Sequence, residues 1–194
     1  MAAGRPKSFD EQVALEGAME VFWQHGYEGA ALPQLLEQMG ISRQSLYDTF
    51  GSKRELFLRT IEHYRGTQLA RALALLEREG SPIENIRALL AFFEELALDS
   101  RCRGCLVANA LVEVGPHDEE AAALLHETLG LLEAGVEKAL VDAQRAGQLG
   151  ARKSPRQLAR ALTNAMLGMT VTGKLPVSRG AVEDIYAGTL SMLD

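Results

Sequence analysis

The sequence predicts an all-α protein of about nine helices. Apolar residues recur at intervals of three and four almost throughout the chain, which is the spacing of one buried helix face. Serine, aspartate, proline and glycine stand where these segments begin and end, as helix caps require. No stretch has the alternating pattern of a strand, and the sequence contains no repeat or low-complexity linker. Because 47% of the 194 residues are hydrophobic, the chain can form a substantial core.

The first two helices have clear boundary signals. Ser8 and Glu11 form a predicted capping box at the start of the first helix, and Gly26 is expected to end that helix. Pro33 suits the first turn of a short second helix, and Gly40 suits its end. These signals predict two helices before residue 41.

The third helix is the most informative part of the chain. Ser42 is predicted to cap it, and Leu46 and Phe50, four residues apart, share one buried face. The outer side consists of Ser42, Arg43, Gln44, Ser45 and Tyr47. A short helix with an apolar back and a hydrogen-bonding front suits a DNA major groove. The first three helices are therefore compatible with a helix-turn-helix unit.

A long fourth helix is predicted from Ser52 towards Gly80. Lys53 and Arg54 lie in its first turn, where cations oppose the helix dipole, and a phosphate between them would offset this cost. Capping signals place later helix starts at Ser81, Asp118 and Ser154. A short buried helix over 106–114 and a last helix after Gly180 complete the prediction.

Charge, hydropathy and cysteine content limit the function. A net charge of −6 argues against a protein that coats nucleic acid indiscriminately, but it leaves room for a small basic face. No apolar run is long enough to cross a bilayer, and the first residues lack the apolar core of a secretory signal. We therefore expect a cytoplasmic protein. Two cysteines are too few for a disulfide-stapled secreted scaffold.

Residues 8–57 resemble the N-terminal domain of the tetracycline-repressor (TetR) family. The resemblance rests on Gly26-Tyr27, Gly40-Ile41-Ser42, Ser45-Leu46-Tyr47, Phe50, Ser52-Lys53 and Leu56. The rest of the chain matches the family in helix number and length only. The resemblance implies a transcription regulator rather than an enzyme, with a helix-turn-helix DNA-binding domain over 1–51 and a ligand-binding and dimerisation domain over 52–194.

The resemblance also implies partners. Members of the family are homodimers in which the last two helices pair with their mates, and most are repressors. They leave a palindromic double-stranded DNA operator when a small-molecule effector binds. Neither a cofactor nor a metal is expected, and no membrane partner.

The family's DNA contacts transfer by position to Ser42, Arg43, Gln44, Ser45, Tyr47 and Lys53. The first four side chains would face base edges or nearby phosphates, and the last two would bind phosphates. Arg43 has the geometry to read guanine, and Gln44 has the geometry to read adenine. Arg5 and Lys7 could enter the adjacent minor groove or bind phosphates.

One departure from the family pattern lies at the start of the second helix. The family usually places a hydroxyl residue there, which caps the helix and touches phosphate, but this chain has Ala30 and Ala31. Loss of such a cap costs about 1 kcal/mol. Pro33 can offset part of this cost by fixing the backbone, and Gln34 is the nearest substitute donor.

A sensor needs a mostly apolar cavity with a few placed polar groups. The candidate lining residues are Phe57, Ile61, Tyr64, Leu89, Phe92, Phe93, Leu96, Leu106, Asn109, Leu125, His126 and Met166. Most of these side chains could equally be ordinary core. Asn109 stands out because a buried amide in an apolar helix must find partners, either a ligand or a neighbouring backbone group.

The segment around Cys102 and Cys105 has three interpretations. The thiols could have packing roles only, could sense oxidants or electrophiles, or could bind a metal together with a histidine. The sensor interpretation rests on the position of Cys105 at a predicted helix start and on nearby Arg101 and Arg103, which would lower its thiol pKa. Some family members resemble this Gly-Cys-Leu segment and use the cysteine to sense electrophiles.

Two other functions remain open from the sequence. One is an all-α redox enzyme that uses both cysteines, although the Cys-x-x-Cys is not set between a strand and a helix and no catalytic constellation accompanies it. The other is a helical interaction protein that has lost DNA binding, for which the Ala30-Ala31 departure is the only support. The leading hypothesis is a repressor that responds to a small molecule.

Overall fold

The computed structural model describes residues 9–175 and 179–194, and within these residues it contains nine helices and no strand. Eight are regular: α1 Glu11–Gly29, α2 Leu32–Met39, α3 Arg43–Phe50, α5 Pro82–Ala97, α6 Leu106–Glu113, α7 Glu119–Arg145, α8 Pro155–Thr172 and α9 Arg179–Leu190. Helix α4 is continuous through Lys53–Tyr64, a π-helical turn at Arg65–Leu69, and Ala70–Leu76. The predicted fold class is confirmed. None of the described helices has both the length and the apolar composition of a membrane span.

Most helices begin where the capping signals predict. The Ser52 hydroxyl accepts the Glu55 N–H at 3.1 Å, and an Asp118 carboxylate oxygen accepts the Ala121 N–H at 3.0 Å. The capping prediction for α1 is wrong, because Asp10 is the N-cap and accepts two backbone N–H bonds. Ser8 lies outside the described residues. Aspartate caps as well as serine, so the helix begins after the acid.

The first stretch of α1 ends at Gly26, as the sequence predicts, and a short second stretch follows. Gly26 has φ 75° and ψ 177°, and one further turn runs to Gly29. Positive φ favours glycine because it has no Cβ. The break therefore creates a second, short helix start inside the element.

The core consists of two hydrophobic clusters. The first joins α1, α2, α3 and the first half of α4 to α6 and the start of α7, and it includes Tyr64 and Leu125. The second joins the rest of α4 to α5, α7, α8 and α9 around residues such as Leu89 and Met166. The first cluster crosses the predicted boundary between residues 51 and 52. The head (α1 to α3) therefore shares its core with the body (α4 to α9). The domain division stays a prediction.

An ion pair fastens the start of α4 to the start of α7. Arg54 donates to both carboxylate oxygens of Asp118, at 2.6 and 2.8 Å, and to Glu120 at 2.8 Å. The expectation that Arg54 shares a phosphate with Lys53 is therefore wrong in this structure: its charge is balanced by two carboxylates. Hydrogen bonds from Arg54, assisted by the Ala121 N–H, lower the pKa of Asp118 to about 2.

We predict that Gly17→Ala destabilises the protein by about 1–3 kcal/mol, as overpacking does. Helix α1 lies so close to α2 that a Cβ on Gly17 would approach the Gln38 carbonyl oxygen to 2.6 Å. Gly130→Ala in α7 is the matched control, because its Cβ would meet open space and alanine favours a helix by up to about 1 kcal/mol. Denaturant unfolding measures both, and a Gly17→Ala protein as stable as the control would contradict the packing argument.

We predict that Asp118→Asn weakens the joint between α4 and α7 in a pH-dependent way. Asparagine keeps the N-cap but loses the ion pair with Arg54. The folded-state pKa of Asp118 is about 2, below its ordinary 3.8, so its stabilisation is present above about pH 4 and is lost as pH falls through about 2. Urea unfolding should therefore show wild type more stable at neutral pH and the difference shrinking below about pH 4. A difference that does not change with pH would contradict the assignment.

Candidate nucleic-acid interface and effector cavity

Helix α3 presents a polar face to solvent and an apolar face to the core. Leu46 is 0% exposed and Phe50 is 3% exposed, and both belong to the first cluster. On the opposite side Arg43 and Gln44 are exposed, and Tyr47 is 41% exposed. Burial of two large side chains fixes the rotation of this short helix, so its polar side faces outward.

The polar side chains of α3 are ordered by their own neighbours. The Ser42 hydroxyl accepts the Ser45 N–H at 3.1 Å. Gln44 donates from Nε2 to an Asp48 carboxylate oxygen at 2.7 Å, and the Arg43 guanidinium lies 5.8 Å from the centre of the Tyr47 ring. Asp48 was missed by the sequence reasoning, although its position four residues after Gln44 is a recognisable side-chain pairing distance.

Lys53 lies at the start of α4, beside α3. Its Nζ lies 4.8 Å from the centre of the Tyr27 ring, a cation–π distance. Among the described residues it has no carboxylate partner, in contrast to Arg54, its neighbour in the chain. The Lys53 charge therefore remains available for an external anion.

The start of α2 is capped from within. Ala31 is the N-cap and makes no side-chain bond, but the Gln34 carboxamide oxygen accepts the Ala31 N–H at 3.2 Å. Gln34 is exposed, and its amide nitrogen is not used in this bond. Gln34 thus partly replaces the missing hydroxyl cap and keeps a donor on the surface. Arg5 and Lys7, the two other predicted contacts, lie outside the described residues.

The body contains a narrow apolar cavity of about 20 Å³, far smaller than the several hundred Å³ of a typical ligand pocket. Of the predicted lining residues, Tyr64, Phe92 and Phe93 border it, as does Cys105. The other walls are Gln68, Leu69, Ala72, Val107, Thr128, Leu129, Leu132 and Leu167. No charged side chain is among them. Gln68 and Thr128 are polar members that were not proposed, although Gln68 follows Tyr64 by one helical turn.

The other predicted lining residues lie elsewhere. Buried core positions away from the cavity are occupied by Phe57, Ile61, Leu89, Leu106, Leu125 and Met166. Leu96 borders a separate surface groove, and His126 is exposed on α7. Helical spacing predicts which face of a helix is buried. It does not distinguish a side chain packed in the core from one that lines a cavity, since both lie on the buried face.

Asn109 finds its partners within the protein. Its Nδ2 donates to the Arg103 carbonyl at 2.9 Å, and its Oδ1 accepts from the Lys174 ammonium at 3.0 Å. The backbone alternative that the sequence left open is the one that the structure contains. The amide holds the loop before α6 against the end of α8, and it borders a surface groove rather than the apolar cavity.

Cys105 is the N-cap residue of α6 and is 4% exposed. Its Sγ lies 3.6 Å from the Tyr64 hydroxyl. The expectation of a lowered thiol pKa is wrong, because burial raises the pKa of Cys105 above its ordinary value. The nearby cations are also neutralised: Arg103 lies over the Trp23 ring at 4.1 Å and pairs with carboxylates. Cys102 is exposed, and both thiols are free.

Comparison with known proteins identifies the family. The sequence profile of "Bacterial regulatory proteins, tetR family" matches residues 14–60, and that of "Tetracyclin repressor-like, C-terminal domain" matches residues 82–188. The chain is 36% identical over 196 residues to the HTH-type transcriptional regulator YezE of Bacillus subtilis (strain 168), covering 98% of this chain and 100% of that protein. It is 29% identical over 193 residues to the HTH-type transcriptional repressor ComR of Escherichia coli (strain K12), covering 97% and 91%.

A solved structure agrees with these matches. It is a cysteine mutant of the TetR family transcriptional regulator CifR, complexed with 26-bp double-strand operator DNA. It superposes with a TM-score of 0.85 at 31% identity, covering 98% of this chain and 100% of that one. The family inferred from residues 8–57 is confirmed, and the redox-enzyme alternative is not favoured. The chain belongs to the tetR family of bacterial regulatory proteins, whose members are DNA-binding transcription regulators and not enzymes.

Proposed function

We propose that this protein is a cytoplasmic repressor that binds a palindromic operator as a homodimer and is released by a small, uncharged effector. The single observation that carries the proposal is the orientation of α3. Its apolar back is buried through Leu46 and Phe50, so its polar front is held outward in a fixed rotation. A helix presented in this way fits a major groove.

The contacts divide into two classes. Arg43 and Gln44 are the base readers, since their exposed side chains offer the donors that guanine and adenine accept. Tyr47 and Lys53 bind phosphates, which set affinity and register. Ser42, Ser45 and Gln34 add shorter-range contacts from the edges of the interface. Gln44 keeps its bond to Asp48 as a brace while its carboxamide oxygen remains free.

The dimer is formed by α8 and α9. Part of their outward surface carries small or apolar residues, including Gly168, Val171 and Gly188, and Val171 is 52% exposed. Four such helices from two copies can form a bundle with a closed two-fold interface. The dimer must hold its two α3 helices about 34–36 Å apart, or a multiple, to meet successive major grooves.

The effector enters the apolar cavity and widens it, since a volume of about 20 Å³ is too small for an organic ligand. Because no charged side chain lines it, an ionic ligand would lose its hydration without a counter-charge, so a neutral and largely apolar molecule is favoured. The Gln68 amide can offer a hydrogen bond, and the Tyr64 hydroxyl can add one beside its contact with the Cys105 sulfur. Tyr64 belongs to α4, the helix that begins with Lys53, so an effector that favours another tilt of α4 would shift the dimer to a spacing that fits DNA poorly.

The test is a selection of bound DNA from random duplexes, repeated with candidate apolar compounds. A palindromic consensus that is lost when a compound is added supports the proposal. The salt dependence of binding to that duplex then estimates the number of phosphate contacts. Failure to enrich any sequence would contradict the proposed operator binding.

We predict distinct effects for a phosphate contact and a base contact. Lys53→Ala should weaken binding to all duplexes alike and reduce the slope of log K against log salt by about 1. Arg43→Ala should instead relax the preference at one base pair, by about 1–3 kcal/mol of discrimination. Competition titrations against single-base variants of the selected duplex measure both. An Arg43→Ala protein with unchanged preference would refute the base-reading role.

We predict that iodoacetamide labels Cys102 at least about tenfold faster than Cys105 in the folded protein. Cys102 is exposed, whereas Cys105 is buried and its raised pKa leaves less thiolate near neutral pH. Peptide mass spectrometry over a time course measures both rates, and labelling in urea is the control in which they should converge. Equal rates in the folded state would restore the thiol-sensor interpretation of Cys105.

A further inference from the structure

Glu113, the last residue of α6, holds the second helix start inside α1. Its Oε2 accepts the Tyr27 N–H at 3.0 Å, and its Oε1 accepts the Glu28 N–H at 2.8 Å. These two N–H groups follow the break at Gly26, so they have no partner in the preceding turn of α1. A carboxylate that accepts two backbone N–H bonds makes strong, charge-assisted contacts.

The chain around Gly26 is closely fitted to this carboxylate. Gly26 has a positive φ of 75°, and a Cβ at this position would lie 2.6 Å from the Glu113 Oε2. Glycine therefore meets two requirements at once, the backbone conformation and the close approach of the acid. Glu113 was not a candidate in the sequence reasoning, since its partners are 86 and 85 residues away in the chain.

Tyr27 connects this contact to the DNA-facing surface. Its ring packs on Phe22 with centroids 6.2 Å apart and on Phe57 with centroids 5.0 Å apart. The Lys53 ammonium lies 4.8 Å from the same ring. The Tyr27 backbone is thus fixed by Glu113, while its side chain supports the cation that has no carboxylate partner among the described residues.

We propose that Glu113 is a positioning residue for operator binding: it fixes Tyr27, and the Tyr27 ring holds the Lys53 ammonium where a phosphate meets it. This inference rests on the phosphate-binding role of Lys53 in the proposed function. Helix α6 is eight residues long, and Cys105, the residue that caps its other end, lines the apolar cavity. The same short helix therefore links the cavity wall to the support of a phosphate contact.

The head does not depend on Glu113 alone. Arg54 also fastens α4 to α7 through Asp118, and the Trp23 indole N–H donates to the Gly104 carbonyl at 2.8 Å. Loss of the Glu113 bonds should therefore leave the protein folded while the position of Tyr27 becomes less defined. The Lys53 contact with phosphate should then weaken, so affinity should fall for all duplexes alike. The preference for particular base pairs should stay unchanged.

The first test is a double-mutant cycle on the selected duplex with Glu113→Gln and Lys53→Ala. Glutamine keeps the shape but can accept only with one of its two terminal atoms, so Glu113→Gln should weaken operator binding about tenfold. It should also lower the salt slope by up to about 1, as Lys53→Ala does. When Lys53 is already alanine, Glu113→Gln should weaken operator binding by a further factor below about three, because the effects of coupled residues are not additive. Asp142→Asn, which removes a half-buried carboxylate paired with Lys138 and Arg145 on α7, is the control and should change neither quantity.

The second test varies the ring and does not depend on Glu113. Tyr27→Phe keeps the face beneath Lys53 and should bind as wild type does, whereas Tyr27→Leu should reproduce Lys53→Ala. Amide hydrogen exchange without DNA should be faster at residues 27 and 28 in Glu113→Gln than in wild type. Thermal unfolding checks that each variant is folded.

Each result has a defined meaning. If Lys53→Ala leaves affinity and salt slope unchanged, the phosphate role in the proposed function fails, and this inference fails with it. If Lys53→Ala acts as expected but Glu113→Gln is fully additive with it, or leaves the salt slope and the exchange at residues 27 and 28 unchanged, the positioning role alone is refuted. Equal behaviour of Tyr27→Phe and Tyr27→Leu would also refute it.

Discussion

The packing of α4 against α1 is the contact on which the rest of the structure depends. Leu56, Phe57 and Ile61 are at most 2% exposed, and the Phe57 ring meets Phe22 edge to face at 5.1 Å. Burial of such side chains contributes about 1.5–3 kcal/mol each. Because this cluster also contains α3, α6 and the start of α7, helix α3 and part of the body (α4 to α9) share one core. The head and the body are therefore joined by close-packed side chains as well as by the chain connection.

The cations around this core fall into two groups, those paired with carboxylates and those without a carboxylate partner in the described part of the chain. Three arginines that lie beside the head, Arg54 and Arg59 on α4 and Arg103 before α6, are each paired with carboxylates. The cations assigned to DNA have an aromatic neighbour but no carboxylate partner within residues 9–175 and 179–194: Lys53 lies over Tyr27, and Arg43 lies beside Tyr47. An aromatic face orients a cation without neutralising it. A chain with a net charge of −6 can thus present local positive charge at Arg43 and Lys53, which have no carboxylate partner among the described residues.

Burial away from water determines the chemistry of the cavity and of Cys105 beside it. The cavity beside α4 is apolar, and the cysteine at its edge has a pKa raised by the same exclusion of water. The Tyr64 hydroxyl, at 3.6 Å from the Cys105 sulfur, is one of the polar groups on this wall. Apolar side chains of five helices, α4 to α8, line this cavity.

The sequence by itself determined the nine-helix fold, most helix starts and the outward face of α3, because caps and helical spacing are local properties of the chain. It could not separate cavity walls from core, since Phe92 and Leu89 satisfy the same periodicity but only Phe92 borders the cavity. Only the tertiary structure decided that Arg54 pairs with Asp118, that Cys105 is buried and that Glu113 caps the turn at Tyr27. Each of these facts depends on groups that are distant in the chain and meet only in the folded protein. Packing decides which partner each group has and how far it is removed from water, and both determine its pKa.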